Sequence, residues 1–330
     1  MSVVDVQDAL GRKLPFELAP TSLPGAFISP APPADFDPLT ASDAMLMKAG
    51  IFWRRPGPGD HPRLIEAWER VARRGWRPED RIVPEFDVQV GVSHQLRGAK
   101  QIADGQFTSD NWSGGTLRPP AGHSWSGAVG YWTIPTVSEP TEPQGTEGGW
   151  NSSSWIGIDG GYGSNDVLQA GIEQRVDAQG NASYVAWYEW FAPQQPNSPG
   201  YIWQTNISNF PVSPGQQVYC SAQYISNTAG YLYFANDTTG QHFSITLAPP
   251  PGASFDGDTA EWIMETPDGG EGVASMPSFT PVHFQGAVCC GANVPSGDPV
   301  NGDTWVIDGF GRQLTSVALA SGSVTVTFTG

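Results

Sequence analysis

A chain of 330 residues with 39% hydrophobic and 11% aromatic residues can bury a core, but 15% charged residues cannot furnish the polar faces of many long helices. Its 40 glycines, 30 prolines and 13 tryptophans point instead to strands and turns. A formal charge of −17 argues against a nucleic-acid partner, and no apolar run approaches the roughly 20 residues that span a bilayer as a helix.

The charge is unevenly placed. Residues 1–100 hold 13 of the 16 Lys and Arg, balanced by 13 of the 33 Asp and Glu. Beyond them only Arg118, Arg175 and Arg312 are basic, so the whole negative balance lies on the rest of the chain. Ordinary carboxylates titrate near 4, which suits such a region to acidic surroundings; solubility or salt tolerance is the alternative. Cys220, Cys289 and Cys290 are too few for a disulfide scaffold. One bridge from Cys220 to either of the others, or three reduced thiols, both fit, so the compartment stays open. Asp5 and Asp8, with no apolar run behind a basic start, do not read as a signal peptide.

Residues 1–40 are proline-rich and read as an extended arm. A short helix is predicted at Asp43–Lys48. The strongest helix is 62–76, where Leu64, Ile65, Trp68, Val71 and Ala72 form one apolar stripe and Gly75 supplies a stop. A boundary is placed near Gly105, separating an N-terminal extension (1–105) from a second region (106–330). From Gln106 onward, strand signals recur every 8–15 residues between Gly, Pro, Asn and Asp turns. The predicted strands are 124–137, 150–159, 167–176, 183–192, 201–207, 217–225, 231–235, 242–247, 259–266, 280–289, 304–307 and a hairpin over 313–328 through Ser321-Gly322. About a dozen strands without helices predict an all-β fold, a two-sheet antiparallel β-sandwich of jelly-roll or concanavalin-like type, behind a partly helical N-terminal segment.

The stretch from Trp155 to Trp190 is the most informative. Period-two alternation puts Val185, Trp187, Glu189 and Phe191 on one face, and Tyr184, Ala186, Tyr188 and Trp190 on the other. Trp155, Gly157 and Asp159 likewise share a face, as do Val167, Gln169 and Gly171, and further on Glu261, Ile263 and Glu265. Polar residues beside tryptophans predict a groove with an aromatic floor. Familiar catalytic motifs are missing. Gly91-Val92-Ser93 runs on into His94-Gln95 rather than a nucleophile elbow. The five histidines are scattered, so no metal site is expected. Asp258-Thr259 and Asp303-Thr304 lack the glycine of a two-aspartate protease, and no nucleotide-binding loop occurs. No cofactor is implied.

The runs WIGIDG, VLQAG, YVAWYEWFAP and AEWIME, with Asn111-Trp112-Ser113-Gly114 and Tyr131-Trp132-Thr133-Ile134-Pro135, together resemble the glutamic peptidases of the eqolisin family (peptidase family G1, formerly A4). The similarity covers roughly 106–330. It implies two seven-stranded antiparallel sheets and an acid endopeptidase acting on polypeptides, with no cofactor, nucleic-acid or membrane partner and nothing that demands more than a monomer. By position it assigns catalysis to Gln169 and Glu265 and groove roles to Trp155, Asp159, Trp187 and Glu189. Glu265 would be general base on a water held with Gln169, whose amide would stabilise the oxyanion. Family members are secreted, which implies an extracytoplasmic enzyme. Two departures stand out: Val185 replaces an acid two residues before the groove tryptophan, and no disulfide pattern is evident. Family precursors also carry a basic prosegment over an acidic groove, so the arginine-bearing helix of 62–76 is expected either to dock there by charge and leave in acid, or to stay packed on the sandwich as a permanent subdomain. A non-catalytic sandwich that binds carbohydrate or peptide is the rival, as tryptophans on a concave face suit stacking.

Overall fold

The computed structural model describes residues 18–51, 55–141, 149–164, 166–192, 203–226, 229–267, 275–291, 294–309 and 311–330. The start of the proline-rich arm, and residues 201 and 202 of one predicted strand, lie outside them. The helices are α1 (Asp43–Lys48) and α2 (Pro62–Ala72). The strands that matter here are β1 (Phe86–Val88), β2 (Trp112–Leu117), β3 (Gly127–Thr133), β4 (Trp150–Ile158), β5 (Val167–Val176) and β6 (Ala182–Phe191). They continue with β7 (Thr205–Ile207), β8 (Gln217–Ser226), β9 (Ala229–Asn236), β10 (His242–Leu247), β11 (Ala260–Glu265) and β12 (Val282–Gly291). Last come β13 (Asp303–Gly309) and the hairpin β14 (Thr315–Ala320) and β15 (Ser323–Phe328).

Two large sheets form a sandwich. The groove sheet runs β1-β7-β6-β5-β4-β11-β2-β13, extended by Gln106–Ser109 and Lys100–Ala103. The outer sheet runs from two short N-terminal strands through β10-β9-β8-β3-β12-β15-β14. Among the described residues they count eleven and ten strands, more than seven each, because N-terminal segments extend both edges. Pairing in these sheets is antiparallel, except that β13 meets Gln106–Ser109 in parallel. A strand missing from the sequence reading, β2, lies inside the groove sheet between β11 and β13. Its Ser-Gly-Gly composition hides it. Gly114 needs φ +157, and an added Cβ would come within 2.1 Å of the Trp262 carbonyl oxygen.

Alternation sorts side chains as the pattern requires. Ala186, Tyr188 and Trp190 of β6, with Leu168, Ala170 and Ile172 of β5, enter the core between the sheets. There they meet Trp132, Val218, Leu232, Phe234 and Phe284 of the outer sheet. The opposite face of the groove sheet carries a separate cluster of Trp112, Trp155, Val167, Trp187 and Ile263. Cys220 and Cys289 are buried free thiols. Among the described residues, no helix is long and apolar enough to cross a membrane.

The N-terminal helix does not cover the groove. It lies on the far side of the molecule, where Ala67, Trp68, Val71, Ala72 and Trp76 pack with Val129, Tyr219, Tyr231 and Tyr233 of the outer sheet. Burying its apolar stripe outweighs long-range attraction to a screened acidic surface. The arginines then pair locally. Arg74 meets Asp237 and Tyr233, and Arg70 lies 3.8 Å over the Tyr131 ring while bonding Asp237. The helix stops at Ala72 with Arg73 as its αR cap, earlier than Gly75 suggested. Arg74→Met should destabilise the protein by about 2–3 kcal/mol, because it leaves buried polar partners short of a donor. A urea melt with unchanged slope and a lower midpoint is the expected readout.

Candidate active site

Strand register lays out the groove floor in rows. Glu189, Gln169, Gly157 and Glu261 stand side by side across β6, β5, β4 and β11. The next row on this face is Trp187, Gly171, Trp155 and Ile263, followed by Val185, Glu173, Ser153 and Glu265. Gln169 and Glu265 therefore flank the Trp155 row on one surface. The glycines let the indole lie flat. A Cβ on Gly157 would sit 2.9 Å from the Trp155 ring, and one on Gly171 2.5 Å from the Trp155 Cβ. Val185 faces Glu173 across the strands, so a carboxylate still occupies that row, supplied by β5.

Glu265 is fully buried and held by three donors. Trp155 Nε1 donates to its Oε2 at 2.7 Å, and Asn111 Nδ2 to its Oε1 at 3.0 Å. The third is His94, whose Nδ1 lies 2.9 Å from Oε2. Gln169 Nε2 donates to Glu189 Oε2 at 3.0 Å, and the His94 backbone N–H reaches the same oxygen at 2.9 Å. Burial pushes the Glu189 carboxyl up to about 8, against the opposing pull of His94. Arg175 chelates Glu173 at 2.7 and 2.9 Å.

His94 was legible only as part of a failed motif, yet it occupies the centre of the groove. Its ring lies 3.8 Å over Trp187 at an interplanar angle of 6°. Its Nε2 is 2.7 Å from Gln204 Oε1. The Gln204 amide is oriented by its nitrogen, which donates to Glu173 Oε2 at 2.6 Å and to Asn206 Oδ1 at 2.7 Å. Gln204 Oε1 is thus an acceptor, and so is Glu265. Both ring nitrogens must donate, which makes His94 an imidazolium. Its pKa agrees: burial alone would lower it, but the charge and hydrogen bond of Glu265 prevail and raise it to about 9. The flat cation over the indole adds a cation–π contact.

Asp159 is placed elsewhere. Its backbone has φ +70, which breaks the alternation of β4 and turns the carboxylate away from the Trp155 row. It accepts from Tyr224 Oη at 2.8 Å and from the Gly257 and Asp258 N–H groups at 3.0 and 2.7 Å. Burial raises it to about 7. Glu261 shares the groove row but is fully enclosed, and burial raises it well above the usual carboxylate range. Three predicted site residues thus meet His94 directly, Glu265, Glu189 and Trp187, and Gln169 joins them through Glu189. Trp155 joins them through Glu265. Asn111, Gln204 and Glu173 were not foreseen as site residues, because only the register brings them there.

Residues 110–328 match the model of the Peptidase A4 family. The chain belongs to that family. It is 28% identical over 233 residues to aspergillopepsin-2 of Aspergillus niger, covering 67% of this chain and 78% of that protein. Scytalidopepsin B of Scytalidium lignicola is 30% identical over 145 residues, which are 43% of this chain and 51% of that protein. The fold matches the crystal structure of scytalido-glutamic peptidase with a transition-state analogue inhibitor. That match has a TM-score of 0.54 and 22% identity, covering 67% of this chain and 98% of the other. A second match is SCP-B, a member of the eqolisin family in complex with the tripeptide Ala-Ile-His, with a TM-score of 0.52 and 21% identity. This Peptidase A4 member is accordingly a hydrolase of the glutamic endopeptidase type.

Proposed function

We propose that this A4 peptidase cleaves polypeptides in acid with Glu265 as general base and Gln169 as oxyanion donor. The observation that carries the reading is that one group, His94, reaches Glu265 through its side chain and the acceptor of Gln169 through its backbone. The two assigned residues therefore border the same volume, the one His94 fills. Asn111 and Trp155 hold both oxygens of Glu265 and fix its lone pairs. In the reaction, Glu265 takes a proton from water as the oxygen attacks the scissile carbonyl. Gln169 Nε2 shifts its hydrogen bond from Glu189 to the developing oxyanion. Protonated Glu265 then passes the proton to the leaving amine. A carboxylate base suits acid, where histidine is already protonated. Trp187 and Trp155 form the floor on which the peptide lies.

The test is digestion of a denatured protein at pH 2–5 with pepstatin present. Gln169→Ala should lower kcat by roughly 10²–10³, the loss seen when one oxyanion donor is removed, with little change in KM. Unchanged kcat would remove Gln169 from the mechanism. A sandwich that only binds carbohydrate would show no cleavage in any arm.

A further inference from the structure

The Trp155 indole lies along β4 and has a different neighbour at each end. At one end Nε1 donates to Glu265 Oε2 at 2.7 Å. The other end lies over Gly157, where an added Cβ would stand 2.9 Å from the ring atom Cζ3. That same Cβ would stand 3.1 Å from the Cβ of Gln169, the partner of Gly157 on β5. Carbon atoms in contact are normally about 3.5–4.0 Å apart, so an alanine at 157 would have to move the ring, the glutamine or both. The bare position therefore borders both halves of the assigned dyad, Gln169 directly and Glu265 through the indole. Backbone conformation does not demand glycine here. Gly157 pairs in unbroken register with Gln169 and Glu261, and its φ is not positive. Nor is the ring free to tilt away. Trp112 packs on it edge to face at 4.8 Å and 74°, and Ile263 stands beside it on β11. Gly171 differs from Gly157. A Cβ there would strike the Ser154 carbonyl oxygen at 2.3 Å, so that glycine is required by the packing of the strands themselves.

We propose that Gly157 is a positioning residue for the dyad: by withholding a side chain it seats the Trp155 indole at the depth where Nε1 meets Glu265, and it leaves Gln169 its place beside the ring. The inference rests on the assignment of Glu265 as base and Gln169 as oxyanion donor. Both act through their position relative to one water and one carbonyl, and a misplacement on the order of 1 Å can cost about 10²-fold in rate. A methyl group at 157 lifts the six-membered end of the indole and draws Nε1 off Glu265. Of the three donors on that carboxylate, only Asn111 and His94 then remain. Phenylalanine at 155 is the complementary change. Its single ring is shorter than an indole and carries no N–H, so it has room for the methyl group and no bond for the methyl group to break.

Four full-length proteins decide it: wild type, Gly157→Ala, Trp155→Phe and the double variant. On a fluorogenic peptide at pH 4, Gly157→Ala should lower kcat by about 10²-fold and leave KM within about threefold of wild type. In the Trp155→Phe background the same change should cost less than about threefold, because the atoms it strikes are gone. Equal losses in the two backgrounds overturn the relay through the indole, and so does a Gly157→Ala enzyme as fast as wild type. If Gly157→Ala does not fold while the double variant folds and keeps the activity of Trp155→Phe, the clash lies on the indole and the proposal stands; failure of both to fold overturns it. NMR of the indole N–H groups judges the seat without turnover. The resonance missing from Trp155→Phe belongs to Trp155, and it should move upfield in Gly157→Ala as its bond to a carboxylate is lost. A resonance that stays in place overturns the proposal. A wild type silent from pH 2 to 6 would sink the dyad instead, and that resonance would still decide whether Gly157 seats the indole on Glu265.

Discussion

Glu265→Gln is expected to lower kcat/KM on a peptide substrate at pH 4 by about 10³–10⁴, or about 4–5 kcal/mol of transition-state stabilisation. The amide keeps the size of the side chain and can still accept from Trp155, but it cannot take a proton from water. Its NH₂ would also face the Asn111 Nδ2, donor against donor, so some reorientation of Asn111 is expected. Glu265→Asp should fall between the two. It keeps a base but draws the carboxylate back by one methylene, away from the reacting water. Measuring kcat and KM for all three separates lost chemistry from lost binding, and a Gln variant as fast as wild type would sink Glu265 as the base. The same variant removes the counter-ion of His94. Its imidazole should therefore titrate well below about 9, a shift that NMR of the ring detects without any turnover.

The second large effect concerns stability against pH. Glu189 and Asp159 have their folded values raised to about 8 and about 7, in both cases chiefly by burial. A raised carboxyl binds its proton more tightly in the folded protein. Its contribution is complete below the unfolded value and is lost as pH rises through the folded one. His94, raised to about 9, acts in the same sense between about 6.5 and 9. His242 acts in the opposite sense. Enclosed against Trp76 and near Arg74, it is lowered to about 4, chiefly by burial, so its contribution is lost as pH falls from about 6.5 through 4. Between about 4.3 and 6.5 the two raised carboxyls outweigh His242, so the thermal midpoint should peak near pH 4 and fall as pH rises, with several kcal/mol lost by pH 9. Glu189→Gln should flatten the alkaline limb, since its amide oxygen can still accept from His94 and Gln169 and it has no proton to lose. A midpoint that climbs steadily from pH 5 to 9 would contradict this account.

The departures from the sequence reading share one cause. Alternation is local, and it placed Trp187 and Glu189 on one face of β6 with Tyr188 and Trp190 on the other. Asp159 looked like a continuation of that pattern, but a single left-handed residue ends β4 and sends its carboxylate to the turn at Gly257. The basic helix looked matched to the acidic groove by charge. Its apolar stripe found a tyrosine-rich face on the opposite sheet, and short-range burial decided the outcome.

What this sequence determined by itself is the set of strands and the faces of their side chains, because period-two alternation is written residue by residue. The aromatic runs, and the spacing of VLQAG to AEWIME, also carried the family. Only the tertiary structure decided who meets whom across strands distant in the chain. Glu265 lies 171 positions from His94, and Gln204 lies 110 from it. Nothing in the local pattern of Ser93-His94-Gln95 marks the central residue as a cation seated on a carboxylate. That follows from register, from an amide fixed by Glu173, and from the low dielectric of a closed groove, where two donors and two acceptors settle where the protons lie.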